Sequence, residues 1–491
     1  MGLEFMAPAM FAGLVVFLLL GYPVAFSLAF TGLAFGLLGI QLGMLEPALL
    51  QALPERVLGI MGNSTLLAIP FFTLMGLILE RSGMAEDLLD TIGQVFGSIR
   101  GGVAYAVVFV GALLAATTGV VAASVLAMGL ISLPVMMRYG YSNRLSTGVI
   151  AASGTLAQII PPSLVLIVLA DQMGVSVGDM YEGALFPGLG LAAAYAVWVF
   201  IVSMVKPAAA PGCPPEMRTL HGTKLALRVL TSMIPPLVLI FLVLGTIFLG
   251  VATPTEGGGM GATGALILAL VKRKLSWKLL REAVESTATM TSFVMFILVG
   301  STVFSLVFRG VNGDLWVERL LPHVPGGALG FLIVVNVMIF LLAFFLDYFE
   351  IAFIMVPLLT PVAQTLGIDL IWFGVLLAVN MQTSFLHPPF GFALFYLRSV
   401  ASKSVKTSDI YWGAIPFVVI QVLMVATIIA FPNLVTGNVT EAATVKGTGE
   451  EELRRQLGLP GGAESGQSPA GPEQKSDDAA SEIEKALRGG K

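Results

Sequence analysis

Residues 134–163 read PVMMRYGYSNRLSTGVIAASGTLAQIIPPS, and residues 361–390 read PVAQTLGIDLIWFGVLLAVNMQTSFLHPPF. The two segments align without a gap at an offset of 227 residues, and three of their six identical positions are prolines. Both segments end in a proline pair inside a long apolar run, Pro161-Pro162 in one and Pro388-Pro389 in the other. Because proline supplies no N–H to a helix, each pair is predicted to break a helix within a membrane. A duplicated, broken, membrane-buried helix is the pattern that marks the binding site of a secondary transporter.

The composition indicates a polytopic membrane protein. Of 491 residues, 56% are hydrophobic and 11% are charged, whereas soluble domains carry about 25% charged residues. Stretches such as 6–20 and 103–133 hold almost no charge and are long enough to cross a bilayer. One cysteine and three histidines leave little for disulfide or metal chemistry. The sequence has no basic patch for nucleic acid and no phosphate-binding loop for ATP.

The order of the apolar runs predicts an all-α membrane protein of about ten spans, arranged as two repeats with a re-entrant hairpin and a broken helix in each. Five crossings per repeat, an odd number, would invert the second repeat relative to the first. The predicted parts are a first repeat at 1–205 (hairpin 101–137, broken helix 143–173), a cytoplasmic connector at 206–227, a second repeat at 228–432 (hairpin 328–362, broken helix 369–398) and a disordered polar tail at 433–491. Within the first repeat, Pro70 is predicted to bend the span near 60–80.

The basic residues give an independent check on this topology. It places sixteen Lys and Arg residues on one side, with only Arg56, Arg309 and Arg319 opposite and the rest in the tail. Such asymmetry is the positive-inside pattern of an inner-membrane protein. Both termini are therefore predicted to lie outside the cytoplasm.

Polar residues precede each proline pair and are the first candidates for a site. Before Pro161 they are Ser153, Gly154, Thr155 and Gln158, with Ser163 directly after the pair. Before Pro388 they are Asn380, Gln382, Thr383 and Ser384, and Gln382 aligns with Thr155. Freed carbonyls, hydroxyls and amides offer neutral oxygens for Na⁺, and half-helix N-termini favour an anionic substrate.

The hairpin centres are the second group of candidates. Asp347 and Glu350 are three residues apart in the second hairpin, so a helix would place both carboxylates on one face, where they could bind a cation or gate access. The alternative is that the hairpin tip reaches water and these acids are solvated. Thr117, Thr118 and Gly119 occupy the centre of the first hairpin and are assigned a site role by symmetry. Thr253-Pro254-Thr255-Glu256, by contrast, has the pattern of a helix start.

At these residues the chain resembles the large membrane subunit of a tripartite ATP-independent periplasmic (TRAP) transporter, in particular the branch often labelled mannitol/chloroaromatic. The resemblance covers residues 1 to about 432. It rests on several short motifs, which are 20–26 (LGYPVAF), 69–72 (IPFF), 115–119 (AATTG), 160–163 (IPPS), 250–256 (GVATPTE), 345–351 (FLDYFEI) and 388–391 (PPFG).

The resemblance implies an elevator-type importer of small organic acids that is coupled to Na⁺ and is not an enzyme. It implies two partners: a separate small membrane subunit of about four helices, and a periplasmic protein that binds the substrate. It also implies Na⁺ sites where the hairpin tips meet the broken helices. The positions that match are Ser153, Gly154, Thr155, Asn380, Gln382 and Thr383. Symmetry adds Thr117, Thr118 and Gly119 to the candidate Na⁺ ligands. The residues assigned to substrate binding or gating are Gln158, Ser163, Asp347, Glu350 and Ser384.

Two other kinds of function remain open from the sequence. The first is a stand-alone dicarboxylate or citrate carrier coupled to Na⁺ or H⁺. The second is an intramembrane hydrolase using Asp171 and Asp347, which the predicted topology places near opposite ends of the protein. Asp171 itself is expected to be solvated, because it lies near the end of a span.

Overall fold

The computed structural model describes residues 3–118, 121–212, 222–320, 325–344, 346–389 and 391–437. Every regular element within these ranges is an α-helix or a short 3₁₀-helix, which confirms the predicted all-helical class. The predicted tail lies outside the described residues from 438 onward. Its first residues are an exception, since Asn433–Thr436 form a short helix with Val435 buried.

The described helices of the first half are α1 (Leu3–Leu19), α2 (Val24–Gln41), α3 (Ala48–Gln51), α4 (Leu53–Met61), α5 (Ala68–Arg81), α6 (Met84–Phe96), α7 (Gly102–Thr118), α8 (Val121–Arg138), α9 (Asn143–Thr155), α10 (Leu164–Met173) and α11 (Val177–Val205). Those of the second half are α12 (Gly222–Phe248), α13 (Pro254–Val271), α14 (Trp277–Gly310), α15 (Gly313–Leu320), α16 (Gly327–Leu342), α17 (Tyr348–Ile354), α18 (Val356–Thr365), α19 (Leu370–Met381), α20 (Phe392–Val400), α21 (Thr407–Ala430) and α22 (Asn433–Thr436).

Six of the described helices are long and apolar enough to cross a membrane, and the number rises to eight if two bent helix pairs count as single spans. One bent pair is 48–61 with 65–81, at 50°, and the other is 348–354 with 356–365, at 51°. The first of these corrects the predicted bend at Pro70. Pro70 lies in the first turn of α5, where proline is tolerated, and the chain bends at 62–64 instead. The ten spans and the inverted repeat stay predictions.

Four long helices pair across the two halves of the chain. α2 lies along α14, and α5 lies along α13, so each pair joins one helix of the first half to one helix of the second half. Glycines permit the close approach of the first pair. A Cβ added at Gly32 would lie 3.0 Å from the Phe304 backbone, and one at Gly300 would lie 2.4 Å from the Ala25 carbonyl oxygen.

The two segments also share a helix-ending glycine and, two residues later, a helix-starting residue. Gly140 and Gly367 follow the last turns of α8 and α18 with φ values of +79° and +68°, a left-handed conformation that favours glycine. Two residues later, Ser142 and Asp369 occupy the N-cap positions of α9 and α19. The same local signals therefore start both broken helices.

Candidate functional site

Both broken helices are interrupted at the predicted places. α9 ends at Thr155, a 3₁₀ turn covers Leu156–Gln158, and α10 begins only at Leu164. α19 ends at Met381, a 3₁₀ turn covers Gln382–Phe385, and α20 begins at Phe392. The peptide bond between the two prolines is cis in each case. The paired prolines thus lie in the non-helical stretches, as their chemistry requires.

The two breaks meet at a hydrogen bond between residues that the repeat alignment makes equivalent. The Nε2 of Gln382 donates to the Oγ1 of Thr155 at 3.0 Å, and both residues are fully buried. They are 227 residues apart, which is the offset between the two segments. The halves of the candidate site are therefore in direct contact through corresponding positions.

Several site hydroxyls already donate to the backbone. Thr155 donates to the Ala152 carbonyl at 2.8 Å, and Thr383 donates to that of Asn380 at 2.7 Å. The proton of such a hydroxyl is already used in a hydrogen bond, but its oxygen lone pairs can still face a cation. Ser163 is more fully committed, because it donates to the Gln158 carbonyl at 2.6 Å and accepts the Leu166 N–H at the start of α10. Its observed contacts are those of a helix cap.

Four other buried side-chain oxygens in the site have no hydrogen-bond partner among the described residues. They are Ser153 Oγ, Gln158 Oε1, Gln382 Oε1 and Ser384 Oγ. A buried polar atom without a partner costs about 1–3 kcal/mol, so such atoms need an explanation. Neutral oxygens at unwound helix segments are the ligand type that transporters use for Na⁺. The residues present therefore fit the predicted ion.

The first hairpin packs directly on the first break. A Cβ added at Gly154 would lie 2.3 Å from a methyl group of Val125 on α8, and one at Gly111 on α7 would lie 2.5 Å from the Cβ of Ser153. Gly154 is thus a packing position as well as a candidate ligand. Thr117 and Thr118 end α7, but their side chains and the whole of Gly119 lie outside the described residues.

Two polar pairs in the core do not follow from the repeat comparison. Asn336, in the apolar helix α16, accepts from the Nδ2 of Asn380 through its carbonyl oxygen at 2.7 Å and its Oδ1 at 3.0 Å. Gln421 on α21 donates to the Tyr195 hydroxyl on α11 at 3.0 Å. A lone amide in the run GALGFLIVVNVMIFLL was the available signal for Asn336.

The two acids of the second hairpin form a capping box at the start of α17. Glu350 N donates to Asp347 Oδ1, and Asp347 N donates to Glu350 Oε2, both at 2.9 Å. Both side chains are half-buried. The spacing of three residues has a local structural cause that the sequence analysis assigned only to Thr253 and Glu256, where a capping box is also present.

This capping box allows a test of the charge at Asp347. Asparagine is as good an N-cap as aspartate, whereas alanine costs about 1 kcal/mol. If the carboxylate acts in transport, Asp347→Asn will reduce uptake at least ten-fold while leaving expression and thermal unfolding unchanged. Uptake and unfolding are measured for Asp347→Asn, with Asp347→Ala as the variant that also loses the cap. Full uptake by Asp347→Asn would show that Asp347 serves only as a helix cap.

The fold is one that solved membrane transporters share. The structure resembles that of the YdaH transporter of Alcanivorax borkumensis with a TM-score of 0.59 and 15% identity, over 81% of this chain and 91% of that one. It also resembles MtrF of Neisseria gonorrhoeae with a TM-score of 0.51 and 11% identity, over 78% and 83% of the two chains. These similarities concern the fold alone.

Sequence comparison defines the family more narrowly. Residues 11–434 match the family of the DctM component of tripartite ATP-independent periplasmic transporters, and the chain belongs to that family of large permease subunits. It is 30% identical to the C4-dicarboxylate TRAP transporter large permease protein of Pseudomonas aeruginosa over 79% of this chain and 91% of that protein.

More distant relatives include proteins for other substrates. The sialic acid TRAP transporter large permease protein of Vibrio cholerae is 27% identical over 84% of this chain and 93% of its own length. A third relative, the isethionate TRAP permease protein DctMQ of Oleidesulfovibrio alaskensis, is 26% identical over 88% of this chain and 66% of its own length. The relatives are transporter subunits rather than enzymes, and the stand-alone carrier is not favoured.

Proposed function

We propose that this chain is the membrane subunit through which a Na⁺-coupled importer carries small organic acids. The observation that carries the proposal is the Thr155–Gln382 hydrogen bond, which joins two broken helices at a buried cluster of neutral oxygens. This cluster offers oxygen ligands without a chain of titratable groups, which suits Na⁺ rather than H⁺. The Asp347–Glu350 pair is engaged in a cap instead.

The substrate is a small carboxylate, because α10 begins at the break. Its N-terminal end, where Ser163 caps the Leu166 N–H, lies at the break and carries the positive end of the helix dipole, which favours an anion. The C4-dicarboxylate and sialic acid named for two relatives are both organic acids, which supports this class. The more specific mannitol/chloroaromatic branch stays a prediction.

Transport proceeds by an elevator movement of the hairpins and broken helices against the paired long helices. Contacts within the proposed moving part support this assignment, because α7 and α8 lie on α9, α20 lies on α8, and α10 lies on α17 and α18. α5 also packs on α7, and α14 on α17, so these contacts are where the two parts would slide past each other. α2 with α14 and α5 with α13 would form the static part. The chain works in the bacterial inner membrane with both termini outside the cytoplasm. Its partners are a small membrane subunit and a periplasmic substrate-binding protein.

The coupling ion is tested in vesicles that contain this chain, its small membrane subunit and its binding protein. Uptake of an organic acid is expected to follow an inward Na⁺ gradient and to persist when a proton ionophore collapses the pH gradient. Replacing Na⁺ with K⁺ at equal ionic strength is the control. Uptake that continues without Na⁺ and stops when the pH gradient collapses would contradict the proposal.

A further inference from the structure

A polar cavity lies away from the helix breaks. It has a volume of about 350 Å³ and is bounded by α4, the C-terminal half of α14, the end of α10 and the start of α18. Its lining includes Arg56, Arg309, Asp171, Asn63 and Ser305. The larger cavities of about 710 and 1100 Å³, by contrast, are lined chiefly by aliphatic and aromatic side chains. We call the polar cavity the arginine pocket.

Its two arginines are available to a ligand. Arg56 and Arg309 are exposed, and neither is within ion-pair distance of a carboxylate in the part of the chain that the structure describes. The sequence topology places only Arg56, Arg309 and Arg319 on the outer face. Two of these three lie in the same pocket, which gives a basic pocket on a face otherwise poor in basic residues.

The one carboxylate in the lining is already satisfied. Asp171 Oδ1 accepts from the Nδ2 of Asn63 at 2.6 Å, and its Oδ2 accepts from the Nε2 of Gln172 at 3.0 Å. Asp171 is half-buried and has two amide partners that the sequence did not indicate. Amides occupy both carboxylate oxygens, so Asp171 does not pair with either arginine. Two guanidiniums against one carboxylate leave the pocket with an excess of positive charge.

Guanidinium groups are suited to carboxylates. Their planar N–H donors match the two carboxylate oxygens, and they stay charged at any physiological pH. The pocket is also linked to the proposed site by a single element. α10 has 10 residues, begins beside the first break and ends at Asp171 and Gln172 in the pocket wall, so the two places are about 15 Å apart along this helix.

We propose that the arginine pocket is an outer receiving site that holds a substrate carboxylate before the substrate moves to the helix breaks. The inference rests on the proposed function, because it takes the transported molecule to be a small organic acid. It adds a second binding place, with Arg56 and Arg309 as its ligands. Ion ligands and arginines are then kept apart, with Na⁺ bound at the breaks and the first carboxylate contact made at the surface.

The pocket can be tested by local labelling. Gly59 lines it, and a Cβ added there meets nothing within 4 Å, so Gly59→Cys introduces an accessible thiol without a clash. Cys213, the single natural cysteine, is replaced by serine. The full-length chain and its small membrane subunit are labelled in right-side-out vesicles with a membrane-impermeant maleimide, in the absence of Na⁺. The probe ligand is succinate, a four-carbon dicarboxylate.

Saturating succinate is expected to slow labelling at least five-fold, whereas its neutral diamide will not. Protection is expected to vanish when Arg56→Gln and Arg309→Gln are added, and to persist with Lys274→Gln, which removes an exposed cation elsewhere. Protection that survives loss of both arginines would overturn the inference. So would equal protection by sulfate, or labelling confined to inside-out vesicles.

The same assay separates this inference from the proposed function. Thr155→Val is expected to abolish Na⁺-driven uptake at low Na⁺ yet leave protection by succinate intact. If protection fails in the natural pocket while Na⁺-driven uptake of organic acids is normal, the pocket assignment is wrong and the proposed function stands. If protection is present and uptake needs no Na⁺, the pocket stands and the coupling proposal fails.

Discussion

Replacing Thr155 with valine is expected to raise the Na⁺ concentration for half-maximal uptake at least ten-fold. Valine keeps the shape of the side chain but removes the oxygen that accepts from Gln382 in a fully buried position. In the proposed ion site this oxygen is a Na⁺ ligand, and losing about 1.4 kcal/mol of interaction with the ion is a factor of ten in affinity. The measurement is uptake as a function of Na⁺ concentration, with substrate saturating.

Two variants serve as controls for this prediction. Thr155→Ser keeps the hydroxyl and is expected to stay within about three-fold of the natural chain. Gln382→Leu removes the other partner, so it is expected to raise the Na⁺ concentration for half-maximal uptake as much as Thr155→Val does. The double variant is expected to need no more Na⁺ than either single variant. Unchanged Na⁺ dependence in both single variants would remove these residues from the ion site.

Replacing Asn336 with leucine is expected to reduce the maximal uptake rate at least three-fold, even at saturating Na⁺. Asn336 on α16 accepts two contacts from Asn380, so it ties the second hairpin to the second broken helix just before the break. Leucine keeps the Asn336 backbone carbonyl but removes Oδ1, so the buried Nδ2 of Asn380 loses one of its two acceptors, at a cost of about 0.5–1.5 kcal/mol. Initial uptake rates and thermal unfolding of the purified complex are measured together.

The matched control lies on the same helix. Val337 is 54% exposed, and Val337→Leu is expected to leave the uptake rate unchanged. Because Asn336 and Asn380 act as a unit, Asn336→Leu with Asn380→Leu is expected to be little worse than Asn336→Leu alone. Normal uptake by Asn336→Leu would show that the pair does not hold the hairpin in place for transport.

Chemistry local to the chain was predictable from the sequence. α9 and α19 end shortly before the paired prolines, because proline lacks the N–H that a continuing helix needs at any position. The helix start at Thr253 and Glu256 was also predictable, because the capping-box residues are close in sequence. The same pattern at Asp347 and Glu350 predicts binding or gating instead, because acids inside an apolar run are first read as functional. Its cap became evident only once α17 was seen to start at Tyr348.

Contacts between distant segments were less predictable. The repeat alignment made Thr155 and Gln382 equivalent, yet equivalence alone does not bring two residues into contact. That contact depends on how the two halves pack, which no local pattern encodes. Asn336 and Asp171 illustrate the same limit. Each is a polar residue that follows an apolar run, and each has a partner in a segment far along the chain.

Direct binding of radiolabelled Na⁺ to the purified full-length chain tests the central claim, that the meeting point of the two broken helices is an ion site. The natural chain is expected to bind Na⁺ saturably in the absence of substrate, and K⁺ at equal concentration is expected not to compete. Thr155→Val is expected to weaken that binding at least ten-fold, while Thr155→Ser preserves it. Equal Na⁺ binding by the natural chain and Thr155→Val, in correctly folded protein, would contradict the account.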